Sequence, residues 1–171
     1  RNAGFYAGET AKLLVEEMKQ GGGYITQADL SAYRARIRAP IQFTYRGYEV
    51  LSSPPPSSGG ITLAQQLQIL ENFDVRKMGR WSAGTMHLMI ESMRRAYANR
   101  AQHLGDADFV EIPGHLTDKE FASKMAKSID KKKATPSDTL GPKITEIQES
   151  EETTHFSVVD RHGMAVSNTY T

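Results

Sequence analysis

The chain has 171 residues, a formal net charge of +1 and 24% charged residues, so no large field points to nucleic acid or an anionic membrane as a partner. It has no cysteine, which excludes disulfides and cysteine catalysis within these residues. No apolar run approaches the length of a membrane span. The length suits one ordinary α/β domain, yet the chain starts at Arg1 without a methionine and stops at Thr171 within a strand pattern, so both ends are expected to be internal to a longer protein.

In chain order, residues 9–20 are predicted to be helical, with Leu13, Leu14 and Met18 at helical spacing and Gly21-Gly22-Gly23 as the stop. Thr26, with Asp29 three residues on, predicts a capping box opening a short helix. Residues 41–45 and 48–52 flank Arg46-Gly47 and read as a β-hairpin. The three prolines that follow cannot donate to a ladder or continue a helix, and they predict a rigid extended crossover over residues 54–56. Ser57-Ser58-Gly59-Gly60 opens a helix whose expected core stripe is Leu63, Leu67 and Leu70.

A longer helix, about residues 83–103, places Met86, Met89, Ile90, Met93 and Tyr97 on one side, with the methionines read as core filler. Thr117 and Glu120 predict a second capping box, ahead of a helix carrying Phe121, Met125 and Ile129. Lys131-Lys132-Lys133 then complements the dipole at that helix's end. Residues 136–152 mix Pro, Gly, Ser, Thr and Glu without helical or strand period and read as a flexible linker.

The last nineteen residues carry the chemistry. Strand-forming residues occupy 153–159 and 166–171 around the turn signal Arg161-His162-Gly163. A three-residue loop closed by Asp160 and Met164, with Gly163 in the left-handed position, pairs Thr153 with Thr171, bringing two hydroxyls side by side. One reading is a threonine nucleophile, which needs its own freed α-amine as base and therefore a cut between Glu152 and Thr153. The other is an ordinary threonine-rich hairpin. Two further constellations carry less weight. His155, Ser157 and Asp160 are the residue types of a serine triad but lie on one short strand. His103, Asp106 and Asp108 lack a fourth metal ligand at recognised spacing.

The run Thr153-Thr154-His155-x-Ser157-Val158, then Gly163 and Val166-Ser167-x-Thr169-x-Thr171, resembles the signature of the γ-glutamyltransferase (γ-glutamyl transpeptidase) family of N-terminal nucleophile hydrolases. The resemblance extends upstream through Gly22-Gly23-Tyr24-Ile25-Thr26, Tyr45-Arg46-Gly47-Tyr48, Pro54-Pro55-Pro56-Ser57-Ser58-Gly59-Gly60 and Leu104-Gly105-Asp106-Ala107-Asp108-Phe109. Met164 and Ala107 depart from the family pattern, which has Ser or Asn and Pro at these places.

What the resemblance implies is an α/β fragment of an αββα sandwich, mainly helical with a C-terminal β-hairpin. Residues 1–152 would be the end of a large subunit, with 136–152 as the linker to the cleavage site, and residues 153–171 the start of a small one. Thr153 would be the nucleophile, and Thr171 the second threonine that orients it. The resemblance also implies an enzyme without cofactor that acts on glutathione and other γ-glutamyl compounds, with water, amino acids or peptides as acceptors. Its other partner would be the remainder of its own two subunits, and its location periplasmic or extracellular. An acylase of the same superfamily, and an inert subunit-association fragment, are the alternatives.

Overall fold

Local chemistry sets the ends of the helices in residues 3–141 and 154–170, the part of the chain that the computed structural model describes. The chain divides into two units, the first ending at Ala39 and the second beginning at Pro40. In the first, helix α1 (Ala3–Tyr6) precedes α2 (Glu9–Gly21), which stops where Gly22 adopts φ +72° and its N–H donates to the Met18 carbonyl. The predicted glycine stop is thus observed. The helix turns Ala11, Leu14 and Met18 inward and leaves Leu13 half exposed, so Leu13 lies off the expected stripe.

Helix α3 (Gln27–Ala32) begins with the predicted capping box: the Thr26 hydroxyl accepts from the Asp29 N–H, and the Asp29 carboxylate accepts from the Thr26 N–H at 2.8 Å. Tyr6 and Tyr33 stack with ring centroids 5.5 Å apart, tying α1 to the end of α3.

The second unit begins with the antiparallel hairpin β1 (Ile41–Tyr45) and β2 (Tyr48–Ser52), with the predicted strand bounds on either side of Arg46-Gly47. Residues 54–57 then form a turn, with the Pro55–Pro56 bond cis and the Ser57 N–H donating to the Pro54 carbonyl at 3.1 Å. This corrects the expected extended crossover: the Ser57 N–H reaches back to the Pro54 carbonyl and closes a turn, which proline's fixed φ accommodates.

Helix α4 (Gly59–Glu71) packs on the hairpin and on α6 (Ala83–His103), the longest helix, with the short α5 (Val75–Met78) between them in sequence. Helix α7 (Lys119–Lys127) completes the bundle, and Ile69, Leu88, Ala122, Ala126 and Ile129 form its core.

Two expected stripes fail in an informative way. In α4 the buried residues are Gly60, Ile61, Thr62, Ala64, Gln65, Gln68 and Ile69, while Leu63 is exposed and Leu67 and Leu70 are half-buried. Each buried glutamine makes a hydrogen bond: Gln65 Oε1 accepts from Asn99, and Gln68 Nε2 donates to the Thr117 carbonyl, while Gln68 Oε1 has no partner among the described residues. In α6 the apolar residues do share a side, but Met89, Ile90, Met93 and Tyr97 are exposed. The buried side carries Thr85, Leu88, Glu91, Ser92, Arg95 and Ala96, so Met89 and Met93 are not core filler in this chain.

The second predicted capping box is also corrected. Thr117 ends a 3-10 turn, Gly114–Thr117, and its hydroxyl donates back to the Gly114 carbonyl. Asp118 therefore precedes α7, and Glu120 pairs with Lys124 at 3.0 Å. The 3-10 turn takes Thr117 as its last residue and hands the N-cap position to Asp118, so the sequence spacing was off by one residue.

Candidate active-site hairpin

Strands β3 (Thr154–Val159) and β4 (Ala165–Tyr170) form an antiparallel ladder, from Thr154 opposite Tyr170 to Val159 opposite Ala165. The turn fixes this register. The Asp160 N–H donates to the Met164 carbonyl at 3.0 Å, and Asp160 Oδ1 accepts from the N–H groups of His162 and Met164 at 2.8 and 2.9 Å. Gly163 takes φ +82°, where a Cβ would be strained. Asp160 and Met164 close the loop as expected. Met164 does so through its backbone while its side chain is exposed, which is why a departure in side chain leaves the register intact.

Alternation along the strands gives the hairpin two different faces. Phe156, Val158 and Val166 lie on one, each about half exposed. His155, Ser157, Ser167 and Thr169 lie on the other. On that polar face the imidazole of His155 contacts three hydroxyls: Nδ1 lies 2.9 Å from Thr169 Oγ1, and Nε2 lies 3.1 Å from Ser167 Oγ and 3.5 Å from Ser157 Oγ.

The Asp160 carboxylate is engaged in its own turn, so His155, Ser157 and Asp160 do not assemble a triad. Thr153, Thr171 and Glu152, the predicted nucleophile, its partner and the residue before the cut, lie outside the described residues. The cross-strand role of His155 was missed in the sequence because the residue was weighed only as a triad base. Its position directly opposite Thr169 in the predicted register was the available signal.

Upstream, the segment leading toward residue 152 is fastened to α6. Glu91, 1% exposed, accepts from Arg94, from Arg95, and from both the N–H and the hydroxyl of Thr135. Arg95 also donates to the Ser128 carbonyl at 3.1 Å, and Arg94 to the Ser137 hydroxyl at 2.9 Å. Burial pushes the Glu91 carboxyl up, but the hydrogen bonds from Thr135 and Arg95, followed by that from Arg94, outweigh it and hold its pKa at about 2. The first residues of the predicted linker are consequently shaped into a 3-10 turn, Ser137–Thr139. Residues 142–152 of that linker lie outside the described ones.

The metal reading gains no geometry. Asp106 Oδ1 accepts from the Asp108 N–H in a local turn, and among the described residues no group of three or more His, Asp or Glu could hold a metal ion.

The fold is similar to that of solved transpeptidases. The structure of Helicobacter pylori gamma-glutamyltranspeptidase superposes with a TM-score of 0.78 at 39% identity, over 88% of this chain and 44% of that one. With the gamma-glutamyltranspeptidase family model matching residues 2–171, the chain belongs to that family. The glutathione hydrolase proenzyme of Escherichia coli K12 is 51% identical over 168 residues, covering 98% of this chain and 29% of the relative. An acylase ACY 1 proenzyme of Pseudomonas sp. V22 is 41% identical over 97% of this chain and 29% of its own length. The chain thus spans less than a third of the length of these curated relatives.

Proposed function

We propose that the chain is a segment of an enzyme that transfers the γ-glutamyl group of glutathione or related amides, with Thr153 as nucleophile. The observation that carries this reading is the β3–β4 register, which runs from Thr154 opposite Tyr170 inward to the turn. The sequence-based pairing of Thr153 with Thr171 assumes the same loop and register; both residues lie outside the described ones. Family membership supports assigning these two threonines to chemistry rather than to strand propensity alone.

In this reading the precursor matures first. The Thr153 hydroxyl attacks the Glu152 carbonyl, the C–N bond breaks as the acyl group moves to oxygen, and the α-amine is freed; water then hydrolyses the ester. In turnover, that amine takes the hydroxyl proton as Oγ attacks the γ-carbonyl of the donor. The amide C–N bond breaks, and the leaving amine, cysteinylglycine in the case of glutathione, departs with the proton. Water or an acceptor amine attacks the resulting ester and restores the Thr153 hydroxyl. Thr171 orients that hydroxyl. No cofactor is required by these steps.

Residues 1–152 then end the large subunit, with 136–152 leading to the cut, and residues 153–171 begin the small one. The apolar face of α6, exposed at Met89, Ile90 and Met93, supports placing this helix in an outer layer of an αββα sandwich completed by the rest of the protein. Export to the periplasm or medium is part of the same proposal. A second reading is supported by the acylase relatives: the same nucleophile acting on a different acyl donor.

The test is the denaturing intact mass of the full-length protein and its Thr153→Ala variant. Two fragments divided between Glu152 and Thr153 are expected for the unsubstituted protein and one uncut chain for the variant. A variant that still divides there would remove Thr153 from the mechanism. Activity on γ-glutamyl against glutaryl amides separates the two donor readings.

A further inference from the structure

We propose that His155, two residues after the proposed nucleophile in the sequence, is a positioning residue that staples the two strands and fixes the direction of the hydroxyls of Thr169 and Ser167. The proposal rests on the threonine-nucleophile reading above. The directly opposed pair His155 and Thr169 is joined by Nδ1 to Oγ1 at 2.9 Å, and the diagonal pair His155 and Ser167 by Nε2 to Oγ at 3.1 Å. One ring thereby bonds two successive same-face positions of the opposite strand, a span that a single serine or threonine hydroxyl cannot cover.

The ring also orders protons. A neutral imidazole has one donor and one acceptor nitrogen, so the two contacts cannot have the same direction. If Nδ1–H donates to Thr169, the Thr169 O–H is left to donate elsewhere and Ser167 donates to Nε2; in the other tautomer both directions reverse. The tautomer at His155 therefore sets whether Thr169 presents a proton or a lone pair. In the sequence Thr169 is the residue two before Thr171, and His155 is the residue two after Thr153.

The contacts of the ring with Ser167 and Ser157 direct Nε2 toward the turn end of the hairpin, away from the end that leads to residue 153. That geometry assigns His155 to positioning, acting through Thr169 and the strand register, and not to taking the proton of the nucleophile itself.

The test uses the full-length protein with His155→Leu, which keeps bulk but no hydrogen bonds, and His155→Gln, which restores one donor and one acceptor. A displacement of the reacting pair by about 1 Å can cost on the order of 100-fold in rate. His155→Leu is therefore expected to slow the appearance of the two fragments at least tenfold. It should lower the kcat of matured enzyme with little change in KM, while the unfolding midpoint stays within about 2 °C. His155→Gln should recover most of the rate. Wild-type maturation and kcat in His155→Leu would overturn the proposal, as would equal losses in both variants. Failure of the nucleophile reading is seen separately, as continued division of the Thr153→Ala variant.

Discussion

The Glu91 carboxylate accepts both the backbone N–H and the hydroxyl of Thr135, at 3.1 and 2.6 Å, binding the middle of α6 to a residue 44 positions further along the chain. The same carboxylate pairs with Arg95, which is 4% exposed, so removing its charge leaves a buried cation facing a neutral group. Glu91→Gln is expected to destabilise the protein by about 3 kcal/mol or more, measured by urea unfolding. Thr135→Val, which leaves the ion pair in place, should cost about 1–2 kcal/mol.

Glu91 also predicts an acid limit. Its folded pKa of about 2 lies below the ordinary 4.5, so the unfolded chain binds the proton more readily. The stabilisation is complete above about pH 4.5 and disappears as the pH falls toward 2. Unfolding free energy measured between pH 6 and pH 2.5 should fall, and the part due to Glu91, about 2–3 kcal/mol, should be missing from the slope in Glu91→Gln.

At the β1–β2 turn Arg46 combines strain with a cap. Its φ of +49° is unfavourable for a residue with a Cβ. Its guanidinium nevertheless donates to the carbonyls of Phe73 at 2.8 Å and Leu70 at 3.3 Å, and its N–H to Glu71 at 2.7 Å, fastening the hairpin to the end of α4. Arg46→Ala loses the guanidinium contacts and keeps the strain, whereas Arg46→Gly loses the contacts and relieves it. Both are expected to be less stable than the unsubstituted protein, with Ala below Gly by about 1 kcal/mol in thermal unfolding.

Gly60 is set against the chain that leaves β2. A Cβ there would lie 2.2 Å from the Ser53 carbonyl oxygen and 3.0 Å from Ile41 Cγ1, and a backbone oxygen cannot swing aside. Gly60→Ala is expected to lose about 1–3 kcal/mol despite alanine's better helix propensity. Gly59→Ala meets only Ser57 Oγ, at 3.4 Å, and should be neutral or slightly stabilising. Parallel melting curves of the two variants test the contrast.

These positions show what the sequence could and could not reveal. The β3–β4 register was legible because Asp160, Gly163 and the loop length fix it locally, and the Thr26–Asp29 capping box was legible for the same reason. The buried faces of α4 and α6 were not. Periodicity credits leucine and methionine with the core, whereas here Gln65, Gln68, Glu91 and Arg95 are buried with hydrogen bonds to partners elsewhere in the fold, although Gln68 Oε1 is left without one among the described residues. Those partners, Asn99, Thr117 and Thr135, are 34 to 49 positions away and leave no trace in a local pattern. The candidate site divides in the same way: its strand pairing was local, and the convergence of Thr169 and Ser167 on His155 required the folded ladder.

The proposed second threonine gives the most selective prediction about chemistry. If the Thr171 hydroxyl orients the nucleophile, then Thr171→Ser in the full-length protein keeps the hydroxyl and should retain most of the activity, while Thr171→Val keeps the β-branched shape and loses it. The loss in kcat is expected to be on the order of 100-fold, the lower end of what a positioned proton-transfer partner contributes. Because valine is as good a strand former as threonine, the ladder that ends at Tyr170 should form equally well in both variants. KM for the donor should change little, since in the proposed role the hydroxyl would act on Thr153 and not on the donor's binding groups. A valine variant with normal kcat would remove Thr171 from the proposed mechanism.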